Sequence, residues 1–176
     1  MIEVYSKLFV GDQDDYEYDV SQRSGWAIVQ ACKEPYHRRA LGYLPSKAAP
    51  KGSEYYVARR DNRLILNMVD APRSDFFYKE EMIDEALDFI DQALTNNMNV
   101  LVHCNVGESR SPSIALLYMA ARLRVLPTES LQAAEAQFKR KYPKYNPKTG
   151  IREHLQKYWV QYCDDGKRKT RSGTDL

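Results

Sequence analysis

The sequence predicts an α/β domain, a central mixed sheet flanked by helices, from three observations. Strand-like runs dominate the first half of the chain and helical periodicity the second. A helical stretch crosses between the apolar strand runs near residues 66 and 102. The stretch Val100 to Met119 reads as strand, loop and buried helix, with Cys104 followed after five residues by Arg110. The 176 residues, 43% of them hydrophobic, supply one domain's worth of core.

Taken in order, Lys7 to Val10 closed by Gly11 is a short strand, and the acidic Asp12 to Asp19 a solvated loop or weak helix. Trp26 to Val29 has the β-branched and aromatic character of a buried strand that ends near Cys32. From Lys33 to Lys51 prolines, glycine and basic residues break any periodicity, so a long loop is expected, bordering the functional site. Glu54 to Ala58 and Arg63 to Asn67 flank an Asp61-Asn62 turn and suggest a hairpin. A loop from Met68 to Asp75 then leads into an amphipathic helix from about Phe76 to Leu94, with Asp75 as its cap. After the apolar helix of Ile114 to Leu123 come helices at Thr128 to Tyr142, stopped by Pro143, and at Ile151 to Cys163. Residues 1–163 form the expected domain and 164–176 a frayed basic tail containing Lys167 to Arg171.

A net charge of +2 gives no whole-protein field that calls for nucleic acid or an anionic membrane. No apolar run reaches the length of a membrane span, and Met1 to Tyr5 does not resemble a signal peptide. Three widely spaced cysteines, Cys32, Cys104 and Cys163, fit a reducing compartment. A cytoplasmic location is therefore expected, and the basic tail leaves a nuclear one open. Cys32 and Cys163 read as structural thiols, and nothing in the sequence brings Cys32 close to Cys104.

The chemistry sits at His103 to Ser111. A glycine-containing loop that runs into a helix start turns several amides inward and adds the positive helix end, which suits a bound oxyanion and favours Cys104 as a thiolate. Arg110 offers a planar fork matched to phosphate, and Ser111 can donate to the sulfur. His103 is expected to order the loop rather than carry protons.

The string His103-Cys104-Asn105-Val106-Gly107-Glu108-Ser109-Arg110-Ser111 resembles the signature of cysteine-dependent protein tyrosine phosphatases, and its small dual-specificity branch fits best. The likeness extends over roughly residues 64–125. It implies a phosphatase-like single domain that hydrolyses phosphotyrosine and phosphoserine or phosphothreonine through a phosphocysteine intermediate, without metal or other cofactor. The amides of Asn105 to Arg110 would bind the phosphoryl oxygens. A general acid is needed upstream: Asp70 stands 34 residues before Cys104 and Asp75 stands 29 before it. Asp70 is preferred because Asp75 has a role as helix cap. Glu108 in the loop disfavours inositol phospholipids and favours phosphoprotein partners. The basic residues His37, Arg38, Arg39, Arg59 and Arg60 are either a solvated face or a greeting for an acidic phosphopeptide. A phosphate-binding pseudophosphatase, a phosphatase for a non-protein phosphomonoester and a rhodanese-like sulfur carrier are the competing classes, the last disfavoured by loop length.

Overall fold

Residues 1–71 and 78–164 are described in a computed structural model of the chain. The strands are β1 (Ile2–Tyr5), β2 (Leu8–Gly11), β3 (Trp26–Gln30), β4 (Val57–Arg60), β5 (Arg63–Leu66) and β6 (Asn99–His103). They form one sheet in the order β1-β2-β6-β3-β5-β4. The inner strands β2, β6, β3 and β5 run parallel, and β1 and β4 add antiparallel edges. The sheet is mixed, as the sequence predicts. Its parallel part brings the carboxyl ends of four strands to one edge, where open α/β sheets place their ligands.

Side-chain alternation divides the sheet into two unlike faces. Leu8, Val10, Val29, Leu64, Leu66, Val100 and Val102 are fully buried, on the face covered by α2 (Glu80–Thr95) and α3 (Arg110–Ala121). Every residue of α3 is buried, which is why its sequence is apolar all round rather than striped. Two further helices, α4 (Leu131–Lys141) and α5 (Thr149–Cys163), pack outside it. His103 faces the other way and stacks on Tyr16, with ring centroids 4.8 Å apart and planes 5° off parallel, while Tyr36 meets it edge-on at 5.0 Å.

Three differences from the sequence reading have local causes. The acidic segment is a wide helical turn, Asp15–Val20, whose Tyr16 and Val20 are buried against the sheet while its carboxylates stay outside. The 33–51 region contains a turn over Lys33–His37 and a short α1 (Arg38–Leu41) closed by Gly42 at φ +73. The helix expected from about Phe76 is described as Glu80–Thr95, with Lys79 extended at φ −117, ψ 142 in the N-cap position. Asp75, expected as a helix cap and as the alternative acid, lies outside the described residues, as does the tail 165–176. The hairpin forms with its turn at Asp61-Asn62.

Candidate active site

The loop from Cys104 to Ser109 leaves the end of β6 and enters α3, so Cys104 stands at the bottom of a turn of backbone. Its carbonyls are held from outside. Gln13 N–H donates to Asn105 O (3.4 Å), the Tyr142 hydroxyl to Gly107 O (2.8 Å) and Asn146 N–H to Glu108 O (2.8 Å). Peptide groups whose carbonyls are pinned outward turn their N–H groups inward, and the amides of residues 105–109 find no acceptor among the described residues. Gly107 sits at φ +76, and a Cβ there would lie 3.1 Å from the Gly11 carbonyl, so both conformation and space require glycine. Val106 is 61% exposed at the rim and Glu108 is half-buried.

Arg110, 6% exposed, closes the floor. Its Nη1 donates to Ala31 O and Met68 O (both 3.1 Å) and its Nη2 to Asn105 Oδ1 (2.9 Å). The Nε is buried and has no acceptor among the described residues, which leaves a charged donor for an anion. Ser111 Oγ lies 3.2 Å from Cys104 Sγ and 3.1 Å from Gly11 O. One hydroxyl proton cannot serve both at once, so the donor is free to turn to the sulfur whenever the sulfur carries charge.

Two predicted residues take defined places around this cradle. His103 is completely buried, and desolvation pushes its imidazole down to about 3, so it is neutral and serves as packing between two tyrosine rings. Asp70 accepts a hydrogen bond from Ser109 Oγ at 2.8 Å, which joins a residue beyond β5 to the loop beyond β6. Its segment is fixed on both sides: Met68 O receives Lys33 N–H and Arg110, and Val69 O receives the Tyr78 hydroxyl at 2.8 Å.

Asn105 Nδ2 donates to Glu34 O (2.9 Å), so the loop after β3 borders the cradle, as its sequence leads one to expect. The sequence reading missed two contributors. Tyr142 and the segment after it grip the outer loop carbonyls. Cys32 is fully buried, its thiol pushed up by burial and influenced by Arg110, Cys104 and Asp70 as electrostatic neighbours. None of these contacts has a local sequence signal, although Pro143 as a helix stop marks where the Tyr142 segment turns back.

The family described as dual specificity phosphatase, catalytic domain, matches residues 53–161. Dual specificity protein phosphatase 1 of Arabidopsis thaliana is 38% identical over 129 residues, covering 65% of this chain and 63% of that protein. Dual specificity protein phosphatase 9 of Homo sapiens is 36% identical over 109 residues, covering 52% and 27%. The chain thus spans less than two thirds of each of these relatives. The human tyrosine phosphatase-like serine/threonine/tyrosine-interacting protein superposes with a TM-score of 0.64 at 22% identity, covering 92% of this chain and 97% of that one. The Yvh1 phosphatase domain from Chaetomium thermophilum gives 0.63 at 19%, covering 93% and 96%. These structures share the fold. With the family match running through the strand, cysteine loop and helix described above, the chain belongs to the dual specificity phosphatase family.

Proposed function

We propose that this chain is a cysteine-dependent protein phosphatase that hydrolyses phosphotyrosine and phosphoserine or phosphothreonine. The observation that carries the reading is the cradle itself: outward-pinned carbonyls around Cys104, a hydroxyl 3.2 Å from its sulfur, and a buried arginine with an unused donor. In this mechanism the Cys104 thiolate attacks phosphorus in line, and an S–P bond forms as the P–O bond to the alcohol or phenol breaks. Asp70 gives its proton to the departing oxygen. Water then attacks the phosphocysteine, Asp70 takes a proton from it, and the S–P bond breaks to return thiolate and inorganic phosphate. The amides of Asn105, Val106, Gly107, Glu108, Ser109 and Arg110, with the Arg110 side chain, stabilise the equatorial oxygens, and Ser111 supports the departing thiolate. Glu108 at the rim supports a phosphoprotein rather than a polyphosphorylated lipid, because its carboxylate repels additional phosphates.

The test is turnover of an aryl phosphate and of paired phosphotyrosine and phosphothreonine peptides, with Cys104→Ser as control. Turnover by the wild type that is lost in the variant is expected. Binding of phosphopeptide without turnover would replace the enzyme by a phosphate-binding interaction module. Asp70→Ala is expected to slow poor leaving groups more than Asp75→Ala; the reverse ranking would move the acid to Asp75.

A further inference from the structure

We infer that Ser109 is a positioning residue for Asp70, a hydroxyl diverted from capping α3 to orient the acid against the phosphate loop. The inference rests on the reaction proposed above. A serine at a helix N-cap ordinarily accepts from the amides of the first turn, as Ser130 does for α4 through Ala133 N–H at 3.2 Å. Ser109 occupies that position for α3 at φ −118, ψ −78 and makes no such bond. Its hydroxyl instead donates to Asp70 Oδ1 at 2.8 Å and accepts from Lys148 N–H at 3.0 Å.

Each bond has a consequence. A serine hydroxyl has one proton, and here it goes to Asp70, so the Lys148 amide must be, and is, a donor. With Ser109 only 2% exposed, water does not compete for either bond. Because Ser109 occupies Oδ1, Oδ2 is the oxygen that carries the proton given to the departing group. The same diversion leaves the first amides of α3 without a side-chain cap, so they remain available to the phosphoryl oxygens. The strand-end segment is thus tied to the cradle twice, by Arg110 through Met68 O and by Ser109 through Asp70, and Lys148 at the start of α5 fixes the serine from behind.

The experiment compares kcat for phenyl phosphate, whose leaving oxygen resembles that of tyrosine, with kcat for p-nitrophenyl phosphate, whose leaving group departs with little protonation. Ser109→Ala is expected to lower kcat on phenyl phosphate about tenfold, a fraction of the 10²–10⁴ available from general acid catalysis. On p-nitrophenyl phosphate the loss should be several-fold smaller, so the ratio of the two kcat values falls, and it is this ratio that separates a misplaced acid from a general disturbance of the loop. Added to Asp70→Asn, Ser109→Ala should cause no further loss, since both act through one carboxyl. Equal losses on both substrates, or none on either, would overturn the inference. Full turnover by Cys104→Ser, or an Asp70→Asn variant indifferent to the leaving group, would instead overturn the reaction on which it rests.

Discussion

His103 precedes Cys104 yet contributes through what it lacks, a charge. Burial between Tyr16 and Tyr36 holds its imidazole down to about 3, against about 6.5 in an unfolded chain. Between those values the unfolded chain binds a proton that the folded chain excludes. The stability gained from a neutral His103 is therefore full above about pH 6.5 and is lost as pH falls through the window toward 3. His37, held low chiefly by burial, acts in the same direction. The melting temperature should fall between about pH 7.5 and about pH 5, and His103→Gln should narrow that fall. Identical pH dependence in the two proteins would show that the imidazole is not the linked group. At this scale the sequence was informative about chemistry and silent about contacts. The spacing of Cys104, Arg110 and Ser111 lies within one turn of loop and is legible directly. The Asp70 to Ser109 bond joins residues 39 apart and depends on the parallel pairing of β3 with both β5 and β6.

Among the elements, α5 shapes the site from a distance. Its first turn lies against the backbone of the Asp70 segment, and a Cβ on Gly150 would overlap the Ala71 carbonyl oxygen and crowd the Tyr78 ring. Backbone against backbone leaves no flexible side chain to yield. Gly150→Ala should therefore separate α5 from residues 69–71, pull Asp70 away from Ser109, and cost roughly 1–3 kcal/mol in stability by overpacking. Activity should fall more on phenyl phosphate than on p-nitrophenyl phosphate, and urea unfolding with parallel kinetics on both substrates would measure the two effects. A variant as stable and as active as wild type would mean that the contact relaxes without moving Asp70. The sequence predicted α5 from its apolar stripe of Ile151, Leu155 and Trp159, but nothing in a helical stripe reveals what its first turn touches. The acidic segment, expected as a solvated loop or weak helix, is helical over Asp15–Val20, but its buried side is not legible for a related reason. Four other positions, Asp15, Glu17, Tyr18 and Asp19, conceal a two-residue stripe, Tyr16 and Val20, too short to register as periodicity, although Tyr16 covers His103. β1 escaped notice because an edge strand of four residues with two inward positions carries equally little signal.

Across the whole molecule, the cradle has no single owner. Its donors come from the loop after β6 and the start of α3, its floor from carbonyls after β3 and β5, and its outer clamps from the segments after β2 and α4. The fold class was readable because strand and helix periodicities are local, whereas the convergence of these ends follows from a strand order that no local pattern encodes. Such a site couples ligand binding to global stability: an oxyanion that binds only where these elements converge stabilises the folded chain by RT ln(1 + [L]/Kd), about 2.7 kcal/mol at a hundredfold excess over Kd. At roughly 2–4 °C per kcal/mol for a chain of this size, saturating tungstate or phosphate should raise the melting temperature by roughly 5–10 °C. Cys104→Ser keeps the amides and the arginine and should retain most of the shift. Arg110→Ala removes the buried fork and should lose it, while also lowering the starting temperature because Ala31 O, Met68 O and Asn105 lose their donor. An unchanged shift in Arg110→Ala would place the anion outside the cradle, and with it the assignment of the loop as the phosphate site would fail.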